Sequence, residues 1–334
     1  MKFRFEFDIK KLPTPITHRH KMLLIGSCFT ENIGEKLDKY KFTTLQNPNG
    51  ILFNPVSVAE SLTDYIEAKQ VSESELFYYN EGWHSWKHHS RFSGLTAAES
   101  LAKINNTYNT AHHFIKETDY VFITLGSSWV YTLTEKAANA KPGNVAANNH
   151  KAPADWFNRK LMTTEEVLRV LDNVVHRIFL FNPKAKIIFT ISPVRHLREG
   201  VVENNRSKAV LIQAVHHLVD KFDKLYYFPA YELVIDDLRD YRFYAEDLVH
   251  PNYFATQYVW EKMVDACMDE KTKTLMEEIH SINLAFQHKA FNPASAQHKK
   301  FLETVLQKTK ALQAAHSYLD FTKELNYFTN EMGN

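Results

Sequence analysis

Five short apolar runs punctuate the first two thirds of this chain, and stretches with helical periodicity separate them. The runs are MLLIG (22–26), FTTL (42–45), YVFITLG (120–126), KIIFTIS (186–192) and LYYFPA (225–230). Each is rich in Val, Ile, Phe or Tyr and is bounded by turn or polar residues, as a buried strand is. Between them, Asn54-Pro55 fits an N-cap followed by proline at the first helical position. Thr163 and Glu166 fit a capping box, after which Val167, Leu168, Val170, Leu171, Val174, Val175 and Ile178 form one apolar face. Leu211, Val215, Leu218, Val219 and Phe222 repeat that pattern. Strands separated by helices pair in parallel through crossovers, so the pattern predicts an α/β fold: an open sheet of about five parallel strands covered by helices. Ligands of such sheets bind beyond the carboxyl ends of the strands. The residues to inspect are therefore Ser27, 47–50, 126–129, 192–195 and those after Ala230.

Composition narrows the function. The 334 residues carry 40 basic and 39 acidic side chains, a net charge of +1, which favours neither nucleic acid nor an anionic membrane as partner. The two cysteines, Cys28 and Cys267, lie far apart in sequence, so a disulfide framework is not expected and a reduced compartment fits. The N-terminus MKFRFEFDIKKLP lacks the apolar core of a signal peptide, and no apolar run approaches a membrane span, so a cytoplasmic location is expected. Two regions break the strand–helix rhythm. Residues 69–95 are aromatic and His-rich and read as an insertion near the ligand end of the sheet. Residues 136–160 read as a long polar loop, which in a compact domain is usually functional. Beyond about residue 270 the strands stop, and two helices interrupted at Asn292-Pro293 follow. The expected division is a catalytic unit over 1–269 and a C-terminal helical extension over 270–334, packed on the core or on a second subunit as a homodimer.

Ser27 falls where the first strand turns into a helix. The unpaired N–H groups of a helix N-terminus favour a developing negative charge there. Serine is also a preferred N-cap, so the turn by itself is equally a capped turn. A second signal is YAEDLVHPN (244–252). Asp247 and His250 are three apart, and Pro251 ends the helical option. The carboxylate can accept from one imidazole nitrogen and leave the other as a base. The chain order is then Ser…Asp…His. Cys28 is a rival nucleophile at the same helix start, where a thiol pKa is lowered. It follows Ser27 in the turn and is expected to point into the core. His84 and His88 would share a face if helical, as zinc ligands can, but no carboxylate accompanies them at a convincing spacing, and no metal is expected. There is no G-x-S-x-G elbow, no G-x-G-x-x-G, no P-loop, no H-E-x-x-H and no C-x-x-C, so no cofactor is expected either.

Several of these motifs occur together. LLIGSCFTENIG, SPVRHLREGVVENNRSKA and YFPAYELVIDDLRDYRFYAEDLVHPN resemble the GSCFA family, a bacterial branch of the SGNH (GDSL-type) hydrolases, over roughly residues 1–270. NVAANNHK and WHSWKHHSRFS fit as well. Thr30 stands where the family name has alanine. The resemblance implies a flavodoxin-like three-layer α/β/α sandwich. It implies an ester hydrolase or O-acyltransferase working through an acyl-enzyme on a small-molecule ester, an acylated carbohydrate by analogy. It implies Ser27 as nucleophile, His250 as base, Asp247 as its orienter, and the N–H groups of Ser27 and Gly50 as oxyanion donors. A third donor, the Asn of a G-x-N-D motif, is replaced: LGSSWVY has Ser128 and Trp129 at the Asn and Asp places. The hydroxyl of Ser127 or Ser128, or Asn148, Asn149 or His150 from the polar loop, is expected to fill the role. Trp129 is expected to wall the pocket. Arg195 is expected to meet an anionic substrate group, or to pair with Glu203 or an aspartate. The missing Asn also motivates a second reading, a ligand-binding protein that kept the fold with weak catalysis.

Overall fold

The computed structural model describes residues 4–333. The chain runs β1 (Lys21–Gly26), α1 (Cys28–Lys39), β2 (Thr43–Gln46), α2 (Pro55–Ile66), β3 (Phe77–Tyr79), β4 (Gly82–His84), α3 (Ala97–Glu117), β5 (Tyr120–Leu125) and β6 (Trp129–Leu133). It continues through β7 (Phe157–Leu161), α4 (Thr164–Phe181), β8 (Lys186–Ile191), α5 (Val201–Lys221), β9 (Leu225–Tyr227), α6 (Ala230–Glu232) and α7 (Tyr253–Cys267). Three helices close it: α8 (Glu270–Gln287), α9 (Ala296–Ala315) and α10 (Thr322–Gly333).

The five apolar runs are the five strands of one sheet, ordered β2-β1-β5-β8-β9, with every neighbouring pair parallel. Counted among themselves they are ordered 2-1-3-4-5, the flavodoxin-like order, whose switch point lies between β1 and β5. Alternation along β1 shows why both faces are covered. Leu23 and Ile25 join the cluster under α2, α3, α4 and α5, while Met22 and Leu24 join the cluster under α1 and α7. The result is a three-layer α/β/α sandwich. The expected caps form: Asn54 accepts from the Ser57 N–H, and Thr163 and Glu166 close a capping box. The α4 face buries Val167, Leu171, Val174, Val175 and Ile178. At about 1.5–3 kcal/mol per side chain, that face contributes roughly 10 kcal/mol toward folding, before chain entropy is counted.

Two antiparallel ribbons stand at the ligand end. The β3–β4 hairpin turns through Asn80 and Glu81, both left-handed, which suits a two-residue turn of the primed type. The long polar stretch is closed at its base by the β6–β7 ladder. Phe77, Trp86, Leu133, Ala137 and Ala146 pack the two ribbons together, with Phe77 and Trp86 stacked at 3.7 Å. The C-terminal region has three helices rather than the two expected. Leu275, Ile279, Ile282, Leu302, Leu306, Leu312, Phe321 and Phe328 form its own apolar cluster. It packs on the α/β core: Lys41 pairs with Glu324 at 2.7 Å, and Asn283 donates to the Lys39 carbonyl at 2.7 Å. Among the described residues no helix is long and apolar enough to cross a membrane.

Candidate active site

The strand-to-helix turn is set by Gly26. Its φ is +141°, and a Cβ there would lie 2.1 Å from the Thr124 carbonyl oxygen, so no side chain fits. Ser27 follows as the N-cap of α1. It is fully buried, its Oγ has no hydrogen-bond partner among the described residues, and its N–H donates to the Thr124 carbonyl at 3.1 Å. Cys28, the first residue of α1, is partly exposed and lines a cavity of about 430 Å³. The N–H groups of Cys28 and Phe29 occupy the first two helical positions, where the helix itself offers no acceptor. Burial pushes the Cys28 thiol up, while those two N–H groups and the Lys208 ammonium pull against it.

The Asp247–His250 pair arrives on the loop before α7. Asp247 Oδ1 accepts the N–H groups of Val249 (2.9 Å) and His250 (3.0 Å), and its Oδ2 lies 2.6 Å from His250 Nδ1. These contacts hold the Asp247 carboxyl at about 2. With Nδ1–H donating to Asp247, Nε2 is the basic nitrogen. His250 lines the same cavity as Cys28. Arg195 fastens the loop from below. Its N–H donates to the Val249 carbonyl at 3.2 Å, its guanidinium donates to the Leu248 carbonyl at 3.1 Å, and it lies 4.2 Å over the Tyr244 ring. Phe53, Trp129, Tyr131, Asn148, Asn149, His196 and Glu199 complete the walls. A thiol at a helix N-terminus and an oriented imidazole therefore line one cavity at the carboxyl end of β1, beside the switch point of the sheet.

The sequence matches the model of the GSCFA family over residues 21–263, and residues 279–333 match the C-terminal domain of GSCFA domain proteins. The chain belongs to the GSCFA family. The larger GSCFA match takes in every element that lines the cavity. No curated protein matches the chain. Among solved structures, the GSCFA chain is similar to an acetyl xylan esterase from the rumen bacterium Butyrivibrio proteoclasticus (10% identity, TM-score 0.39, 75% of this chain and 64% of that one). It is also similar to a family two carbohydrate esterase from Clostridium thermocellum (11%, 0.38, 76% and 65%). A carbohydrate esterase family 3 protein from Talaromyces cellulolyticus follows (8%, 0.34, 78% and 99%). The GSCFA chain spans just under two thirds of the first two. Identities and scores this low establish no shared activity.

Several residues expected at the GSCFA site have other work. The N–H groups assigned to the oxyanion are occupied, that of Ser27 in the sheet and that of Gly50 by the Asn47 carbonyl at 2.7 Å. Gly50, at φ +82°, is glycine because the His-rich insertion lies against it: a Cβ would meet His89 Cβ at 2.2 Å. Ser128 is buried, its N–H donating to Ser207 Oγ at 2.7 Å and its hydroxyl to the Ser207 carbonyl at 3.2 Å. Ser127 does line the cavity, with its Oγ 3.2 Å from Ser207 Oγ. Trp129, Asn148 and Asn149 line it too. His150 does not. It is buried with Nδ1 3.0 Å from Ser90 Oγ and Nε2 2.9 Å from the Ser85 carbonyl, and burial lowers its pKa to about 4. It props the polar loop against the insertion. Arg195 lines the cavity but binds the His250 loop, while Glu203 pairs with Arg206 at 3.0 Å.

The insertion histidines are not helical. His84 lies on β4 between Ser93 Oγ (2.6 Å) and the Tyr79 carbonyl (2.9 Å), and His88 Nδ1 lies 2.8 Å from Ser85 Oγ. Among the described residues no group of three His, Cys, Asp or Glu side chains could hold a metal ion. Sequence reasoning assigned no role to two further groups. Lys208 is buried without a carboxylate partner among the described residues and donates to the carbonyls of Gly126 (2.6 Å) and Ser192 (2.7 Å), clamping the ends of β5 and β8. Burial lowers its pKa to about 7. His196 packs edge-on to Phe53 at 4.9 Å with its Nε2 unpartnered among the described residues, and burial and Lys208 lower its pKa to about 3. Its place just after β8 was the available signal.

Proposed function

We propose that this GSCFA protein is an acyl-transfer enzyme acting on carboxylic ester bonds through an acyl-enzyme, with Cys28 as nucleophile, His250 as base and Asp247 as its orienter. The observation that carries this reading is that Cys28 and His250 line one cavity while the Ser27 hydroxyl is enclosed. His250 Nε2 takes the Sγ proton as the sulfur attacks the carbonyl carbon. The thiol pKa is raised, so the resting group is a neutral thiol and the base is needed. The oxyanion forms against the N–H groups at the start of α1, where the helix dipole is also favourable. His250 returns its proton to the leaving group, and water or an acceptor hydroxyl then resolves the acyl-enzyme. The side-chain amides of Asn148 and Asn149 are the groups best placed to supply the remaining donor. Aromatic walls at Phe53, Trp129 and Tyr131 beside those amides suit a polyhydroxylated alcohol such as a carbohydrate.

Hydrolysis of p-nitrophenyl acetate by purified protein tests the assignment. Cys28→Ala and His250→Ala are expected to lower kcat by about 10⁴–10⁶, the scale seen when a member of such a constellation is removed. Ser27→Ala is expected to keep activity and stability, because the Ser27 side chain makes no capping hydrogen bond to lose. Full activity in Cys28→Ala refutes the nucleophile. Folded protein that releases no nitrophenol above background supports a ligand-binding protein instead.

A further inference from the structure

We infer that the acyl donor is a thioester: Cys28 Sγ attacks its carbonyl carbon, the donor carbon–sulfur bond breaks, and the Sγ proton leaves on the donor thiol by way of His250 Nε2. The inference rests on the acyl-enzyme reading above and names the substrate class for the same site. It starts from the sulfur in the cavity. A tetrahedral intermediate on Cys28 can expel either of two groups, and the weaker base leaves faster. When the donor is an ordinary alkyl ester, the rival leaving group is an alkoxide, a far stronger base than a thiolate. The intermediate then goes forward only where His250 protonates the oxygen as it departs, and otherwise collapses back to free Cys28. When the donor is a thioester, both candidates are thiolates and forward transfer is no longer disfavoured.

The surroundings of Cys28 push the balance further forward. Its thiol is mostly enclosed, and burial raises its pKa, so its thiolate is a poorer leaving group than the solvated thiolate of a small-molecule thiol. The base is set apart from this buried region. The side chains of His250 and Asp247 are about half exposed, so the imidazole can hand its proton to a departing thiolate that is already entering water. The second half-reaction is balanced in the same way. His250 takes a proton from an acceptor hydroxyl or from water, the oxygen attacks the Cys28 thioester, and Sγ leaves and is reprotonated. The net products are free donor thiol and a new oxygen ester, or a carboxylic acid when water is the acceptor.

The test uses the full chain and three acetyl donors: S-acetyl-N-acetylcysteamine, ethyl acetate and p-nitrophenyl acetate. Intact mass and peptide mapping follow the acetyl group. The expected result is one acetyl on Cys28 from the thioester, removed by neutral hydroxylamine, and none from ethyl acetate in the same time. Cys28→Ala is expected to lose the label. His250→Ala is expected to lose it as well, which separates enzymatic transfer from simple thiol exchange. In Cys28→Ser, acetyl taken from p-nitrophenyl acetate is expected to resist neutral hydroxylamine. Labelling of Cys28 by p-nitrophenyl acetate but not by the thioester, or equal labelling by ethyl acetate, overturns the thioester inference and leaves the acyl-enzyme reading standing. Labelling by none of the three overturns both.

Discussion

The buried histidines set a limit on how far this protein tolerates acid, and His88 measures it. Its ring is enclosed among Ser85, Phe92 and Tyr108, with Nε2 unpartnered among the described residues. Burial, reinforced by the nearby charges of Lys87 and Lys69, lowers its pKa to about 3. Because the folded value lies below the usual 6.5, the unfolded chain binds the extra proton between those two values. Stability is full above about pH 6.5 and falls as the pH drops toward 3. At pH 5 the unfolded imidazole is protonated about thirtyfold over neutral, which is worth about 2 kcal/mol relative to pH 7.5. His18 and His150, both lowered to about 4 chiefly by burial, add about as much each, so the three together remove about 6 kcal/mol. That is comparable with the whole stability of an ordinary domain, about 5–15 kcal/mol. Urea unfolding of the native chain and of His88→Gln, each at pH 7.5 and pH 5, isolates the His88 share. The variant is expected to lose about 2 kcal/mol less than the native chain between the two pH values. Any effect of the substitution at neutral pH cancels in this comparison. An equal loss in both proteins refutes the reasoning.

Two substitutions probe how the site is held. Gly26→Ala places a methyl group 2.1 Å from the Thr124 carbonyl oxygen at φ +141°, and is expected to destabilise the fold by at least about 3 kcal/mol, read from thermal or urea unfolding. Arg195→Ala removes the anchor of the His250 loop while leaving the core intact. With p-nitrophenyl acetate its kcat is expected to fall about 10–100-fold, the scale of a misplaced group, with KM and melting temperature little changed; an unchanged kcat refutes its positioning role.

Strands were legible where burial on both faces makes the run continuously apolar, as in β1, β5 and β8. The helices announced by caps, α2 and α4, began where Asn54 and Thr163 placed them. Under the proposed function the nucleophile moves from Ser27 to Cys28, for a reason that lies in the turn. Residue type pointed to Ser27, but what reaches the cavity depends on where α1 begins, and element boundaries are the least legible feature of a sequence. Counted from Gly26, the serine of a G-D-S pattern falls two residues on, at Cys28, and that count was the available signal. The partners of His150, Ser85 and Ser90, come from the 69–95 insertion, and nothing local specifies that contact, whereas the Gly50 N–H is taken within its own turn by the Asn47 carbonyl. The β6–β7 ladder escaped for the same reason, since its strands are separated by more than twenty residues of polar chain.

The two sides of the cavity differ in polarity, and this bears on how acid acts on the candidate site. On one side lie the start of α1 and the buried Lys208, both positive or partly positive. On the other lies an exposed carboxylate–imidazole pair. Asp247 titrates at about 2, so it stays ionised and keeps the imidazole oriented throughout the range in which the fold survives. The group that yields is the prop behind the cavity wall: His150, tied to Ser85 and Ser90, fixes the loop that carries Asn148 and Asn149, and His88 shares Ser85 with it. Protonating either ring places a charge in an enclosed aromatic setting beside Phe77 and Trp86 or beside Phe92 and Tyr108.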